Sequence, residues 1–137
     1  MPVTDEGSVL LRNDCNGIRT LTLNRPHRRN ALNPTLWAAL RGELTRATED
    51  RDVRALVITG AGGAFCSGAD IAARNHAHPL AKMRVVNDVA LLLHDLPVPT
   101  IAKVTGQAVG AGTSISRGLR GLSLICSVVI NVGMVLP

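Results

Sequence analysis

At 137 residues, 46% of them apolar, the chain is long enough to bury one core and too apolar to be a disordered tail. Its formal charge of +5 would suit nucleic acid, but Trp37 and Phe65 are its only aromatics, so bases would lack stacking platforms and a small anionic ligand accounts for the charge at least as well. Cys15, Cys66 and Cys126 have no C-x-x-C spacing, which argues against a metal cage or disulfide framework, and Met1 to Ser8 lacks an apolar signal segment, so the expected setting is the cytoplasm.

Val9–Arg12 and Ile18–Leu23 read as two short strands around a turn at Asn13–Gly17, forming a hairpin. After the polar stretch Asn24–Asn33, Asn33-Pro34 reads as the N-cap and first-turn proline of a helix. Its apolar face is Leu36, Leu40, Leu44 and Ala47, and it ends near Arg51. Val53–Thr59 is a buried strand that runs into the small-residue stretch Gly60–Gly68. A second amphipathic helix is expected over Leu80–Leu96, with Val85, Val89, Leu92 and Leu96 at helical spacing and Pro97 and Pro99 as its stop. Thr100–Val104 is the next strand. The helical stripe is poor from Ala111 to Gly121. Leu122–Pro137 is nearly all apolar, too short for a membrane span, and reads as a core strand that would self-associate if left uncovered. Strands alternating with helices give an α/β fold in a single domain over 1–137, with a divergent tail from about 115.

Two segments carry the chemistry: Gly60-Ala61-Gly62-Gly63-Ala64-Phe65-Cys66-Ser67-Gly68-Ala69-Asp70, and Thr105-Gly106-Gln107-Ala108-Val109-Gly110-Ala111-Gly112. Each follows a buried strand and consists of small residues, so its backbone N–H groups are unobstructed and can converge on one ligand atom as an oxyanion hole. The plain alternative is a tight connecting loop and an ordinary helix start. Neither cluster spells G-x-G-x-x-G or a P-loop, and Ser114 is not in G-x-S-x-G, which argues against dinucleotide, triphosphate and nucleophile-elbow readings. His76 and His78 have no third ligand nearby and read as loop residues, so no metal is expected.

Taken together, Leu23-Asn24-Arg25-Pro26, Asn30-Ala31-Leu32-Asn33, Gly63 to Asp70 and Pro99 to Gly112 resemble the enoyl-CoA hydratase/isomerase (crotonase) superfamily over about residues 8–114. The resemblance implies repeated ββα units, broken off before the C-terminal helical region. It also implies an acyl-CoA thioester substrate, no cofactor apart from the coenzyme A that the substrate carries, and lyase or isomerase chemistry of fatty acid metabolism. The oxyanion donors would be the backbone N–H groups of Ala69 and Ala111, next to Gly68 and Gly110. Arg25 to Asn30, with Arg25, His27, Arg28 and Arg29, would be the loop that cradles coenzyme A, and Ala31, Ser67, Gly68 and Gly110 would also contact substrate. The basic residues of that loop suit phosphates as well as they suit solvent. Asp70 either touches ligand or caps a short helix after it, and its position favours the cap.

The sequence also departs from that pattern. Ser114 stands where the family has its first catalytic glutamate, the second falls near Met134, and no Asp or Glu occurs after Asp95. Without a proton acceptor in reach, general acid–base hydration of an enoyl thioester is not expected. The resemblance further implies a homotrimer, whose building region lies beyond the matched segment. The expected alternative is a catalytically silent acyl-CoA-binding or subunit-pairing module from a truncated or frame-disrupted gene.

Overall fold

A computed structural model describes residues 7–68, 70, 78–104 and 128–131. In chain order it contains β1 (Leu10–Cys15), β2 (Ile18–Leu23), a 3-10 turn (Pro26–Arg28), α1 (Pro34–Glu49), β3 (Ala55–Gly60), α2 (Pro79–Asp95), β4 (Thr100–Lys103) and β5 (Val128–Asn131). The five strands form one mixed sheet in the order β1-β2-β3-β4-β5. β2, β3 and β4 run parallel, with antiparallel β1 and β5 at the edges. The first ββα unit is β1-β2-α1, and β3-α2-β4 follows it.

The register explains the core. Leu21 on β2 is level with Ile58 on β3, which is level with Ala102 on β4, and all three are fully buried. One step back, Arg19, Leu56 and Thr100 form the next buried row. The alternation of Ile18-Arg19-Thr20-Leu21-Thr22-Leu23 therefore turns its odd positions inward. Both helices bring leucines to the same cluster, Leu36, Leu40 and Leu44 from α1 and Leu93 from α2, joined there by Val89. Each such side chain removed from water is worth about 2 kcal/mol.

Helix boundaries follow local chemistry. The Asn33 side chain accepts a 2.8 Å bond from the Leu36 N–H, and Pro34 opens α1 where no N–H is needed. His78, expected to be a plain loop residue, is the N-cap of α2, its ring accepting from the Leu80 N–H at 3.3 Å.

Two expectations need correction. β1 runs on to Cys15 through residues expected in the turn, because Asn16 (φ 52°) and Gly17 (φ 80°) alone close the hairpin as a two-residue turn. β3 begins at Ala55 rather than Val53, since the Arg54 and Ala55 N–H groups both donate to the Gly17 carbonyl and pairing with β2 starts there. In the apolar tail, the described residues Val128–Asn131 form a strand paired with β4. The rest of the tail lies outside the described residues.

Arg19 is a cation on the core face. It is 1% exposed, donates to Asp14 through Nε and Nη2 at 2.8 Å each, and gives a third bond from Nη2 to Asp50 at 2.7 Å. That guanidinium holds the Asp14 carboxyl well below the usual carboxylate range, with Arg12 adding to the effect. Asp50 is also lowered, first by the N–H of Asp52 and then by Arg19. Because the folded Asp14 binds its proton less tightly than the unfolded chain does, the pair stabilises the fold above about pH 4 and loses that contribution as the pH falls further. Thermal stability should therefore fall more steeply below pH 4 in the wild type than in Asp14→Asn, and parallel curves for the two proteins would refute the assignment.

Candidate functional site

Parallel β2, β3 and β4 all deliver their chains to the same edge of the sheet, the edge where open α/β folds place ligands. At that edge two loops, 24–33 after β2 and 61–70 after β3, are joined into one body. Ser67 N–H donates to the Arg29 carbonyl (3.0 Å), Leu32 N–H to the Gly68 carbonyl (2.8 Å), and Asp70 N–H to the Leu32 carbonyl (3.1 Å). The Ser67 hydroxyl adds a bond to the Arg28 carbonyl at 3.2 Å.

Asn30 organises the join. It is fully buried, with φ 57°, a left-handed conformation that asparagine tolerates better than most residues. Its carboxamide accepts from the Arg25 N–H at 2.9 Å and donates to the carbonyls of Ala61 and Ala64 at 2.9 and 2.8 Å. One side chain thus satisfies three backbone groups in two loops. The sequence shows Asn30 only as the end of the loop expected to cradle coenzyme A; nothing local signals that its side chain joins the two loops.

Arg25 lies beneath these bonds. Its Nη1 is 2.6 Å from the Ala31 carbonyl and 3.0 Å from Asp70 Oδ2, with side-chain exposures of 11% for Arg25 and 9% for Asp70. Placed on the coenzyme A cradle by the sequence, Arg25 directs its guanidinium into the join between the loops. The carboxylate of Asp70 takes that cation, and the short helix it was expected to cap falls in residues outside those described. His27 and Arg28 in the 3-10 turn and Arg29 at its end are exposed, while Ala31 is buried.

Phe65 and Cys66 anchor the second loop in the core. Burial pushes the Cys66 thiol up, so it stays neutral, and its Sγ accepts from the Gly68 N–H at 3.4 Å. Gly68 has φ 98°, a conformation closed to β-branched side chains. Ala69, Gly110, Ala111 and Ser114 lie outside the described residues, so the structure brings together Arg25, Ala31, Ser67, Gly68 and Asp70 of the predicted set. Among the described residues no cluster of His, Cys, Asp and Glu could hold a metal ion, and no helix is long and apolar enough to cross a membrane. A groove of about 320 Å³ between α1 and α2, lined by Arg41, Thr45, Asp88 and Leu91 among others, contains no residue of these loops.

A mixed sheet with helices packed on it, and a glycine-bearing loop after β3 zipped to the loop after β2 at the carboxyl ends of parallel strands, is the arrangement of a crotonase-type fold. The chain belongs to the enoyl-CoA hydratase/isomerase family, whose model matches residues 13–130 and so extends past the last of the quoted motifs. It is 40% identical over 104 residues to a probable enoyl-CoA hydratase of Mycobacterium tuberculosis, covering 72% of this chain and 40% of that protein. To the 1,2-epoxyphenylacetyl-CoA isomerase of Escherichia coli it is 38% identical over 110 residues, covering 74% of this chain and 42% of the relative. Among solved structures, the enoyl-CoA hydratase of Mycobacterium smegmatis superposes with a TM-score of 0.73 at 37% identity, over 80% of this chain and 45% of that one. A putative enoyl-CoA hydratase from Streptomyces coelicolor gives 0.74 at 34% identity, over 86% and 46%. The chain thus spans 40–42% of the length of these curated relatives.

Proposed function

We propose that this chain binds an acyl-CoA thioester in the cytoplasm and holds its carbonyl oxygen in a two-donor oxyanion hole built from the backbone N–H groups of Ala69 and Ala111. Moving a proton at the α-carbon puts negative charge on that oxygen, and each fixed donor aimed at it is worth about 3–4 kcal/mol of barrier. The observation that supports this reading most is the Gly68 turn, with φ 98° and its carbonyl held by Leu32, which carries the chain directly into the first proposed donor. The exposed basic residues His27, Arg28 and Arg29 lie on the loop bonded to that turn and suit the phosphates of coenzyme A. No cofactor is needed beyond the coenzyme A of the substrate.

A second reading, a catalytically silent acyl-CoA-binding module, rests on the missing carboxylates. Ser114, where the resemblance places the first catalytic glutamate, cannot take a proton from water near neutral pH. The two readings share the oxyanion hole and differ in turnover.

Calorimetric titration with crotonyl-CoA should show weak binding, with no measurable hydration in a coupled assay. Gly68→Val should abolish the binding while the circular dichroism spectrum is kept, because valine is strained at φ 98° and crowds the turn. Turnover comparable to that of an intact hydratase would overturn the silent reading. Equal affinity in Gly68→Val would move the ligand elsewhere.

A further inference from the structure

We propose that Arg25 and Asp70 form a buried positioning pair that aims the oxyanion-hole turn, rather than a contact for coenzyme A; the proposal deepens the function above and rests on it for its ligand readout. Arg25 Nη1 reaches Ala31 O and Asp70 Oδ2 at once, from a site only 11% exposed, so the guanidinium is buried and already partnered, unlike the exposed His27, Arg28 and Arg29 side chains nearby in the sequence. A phosphate outside the protein would have to compete with a buried carboxylate for it, at a large desolvation cost.

The pair closes a short cycle of bonds around the turn. Arg25 is tied to residue 31 through its carbonyl and to residue 70 through its carboxylate. Between those ends, Leu32 N–H holds the Gly68 carbonyl at 2.8 Å and the Leu32 carbonyl holds the Asp70 N–H at 3.1 Å. A trans peptide points its N–H opposite to its C=O, so a bond that fixes the Gly68 carbonyl would, on this proposal, also constrain the proposed donor that follows it. Releasing Asp70 removes one anchor of that peptide and loosens its aim. An oxyanion donor depends steeply on such aim, since the gain comes from preorganisation and not from the strength of one hydrogen bond.

The pair makes a distinction that a merely stabilising ion pair does not. It should affect the thioester carbonyl and leave the phosphate contacts alone. The test measures two things on the full chain for wild type, Arg25→Ala, Arg25→Lys and Asp70→Asn. In hydrogen exchange, Arg25→Ala should raise exchange at the Leu32 and Asp70 amides at least tenfold, while the Leu36 amide, capped by Asn33 on the neighbouring helix, changes less than twofold. In titration, the preference for crotonyl-CoA over free coenzyme A should fall at least tenfold in Arg25→Ala and in Asp70→Asn, with affinity for free coenzyme A unchanged. Arg25→Lys should recover part of both effects. Unchanged protection at Leu32 and Asp70, or a loss shared equally by Leu36, would overturn the proposal, as would a drop in free coenzyme A affinity equal to that for the thioester. Wild-type protein that shows no preference for the thioester would instead refute the proposed function, and the exchange measurement would still decide whether the pair holds the turn.

Discussion

Asn30→Ala should be among the most damaging single substitutions in the described part of this chain, costing about 3 kcal/mol or more because it orphans buried backbone groups. The carboxamide supplies the acceptor for the Arg25 N–H and the donors for the Ala61 and Ala64 carbonyls, and the residue itself is fully buried. Alanine provides none of these partners, fills less space, and is disfavoured at φ 57°. For a fold of typical stability, about 5–15 kcal/mol, such a loss is a large share of the total. Asn30→Asp separates the contributions: it keeps the acceptor for Arg25 but sets a carboxylate against two carbonyl oxygens, so it should be at least as destabilising despite its near-identical shape. Urea unfolding of the three proteins checks the ranking. A midpoint for Asn30→Ala within error of the wild type would mean that the two loops are joined by their backbone bonds alone.

Much of the scaffold was legible in the sequence because it rests on short-range signals. The spacing of Leu36, Leu40, Leu44 and Ala47 behind Asn33-Pro34 gave α1 its extent to within two residues, and all four of those side chains are buried. Strand ends were less legible. The hairpin turn was drawn too wide because Asn13, Asp14 and Asn16 are all turn-prone residues, and only the pairing with β2 decides that Asn13 and Asp14 are extended. The strict alternation of β2 does place Arg19 on the leucine side, and that was the available signal for its burial. What sequence reasoning could not reach is the join between the loops. Arg25 and Asp70 are 45 residues apart, Asn30 and Ala64 are 34 apart, and no local period links either pair. A basic residue three and four positions before two exposed arginines reads as part of a charged surface, and only the fold turns this one inward.

Gly60→Ala should be comparably severe, for a steric reason. Gly60 ends β3, where the chain turns sharply back past Asn30, and a Cβ added there would overlap the Ala64 carbonyl oxygen and come within 2.5 Å of the Phe65 carbonyl oxygen and 2.8 Å of Asn30 Nδ2. The first two are backbone atoms of the loop that contains Phe65 and Cys66, both fully buried, so the loop cannot give way without withdrawing these side chains from the core. Overpacking of this kind costs about 1–3 kcal/mol even where side chains alone must shift, and more is expected where backbone must move. The third neighbour is the amide that bonds Ala61 and Ala64, so the same methyl group would also break the join that Asn30 makes. Gly63 provides the control: it lies three residues on in the same loop, nothing lies within 4 Å of a Cβ built on it, and only its φ of 82° resists substitution. Gly63→Asn, which suits a left-handed conformation, should therefore be close to neutral, while Gly60→Ala lowers the unfolding midpoint sharply and weakens acyl-CoA binding with it. Equal stability for the two variants would show that the loop can open at β3 without strain, and the close packing of Gly60 would then not be what sets the path of the chain toward Gly68.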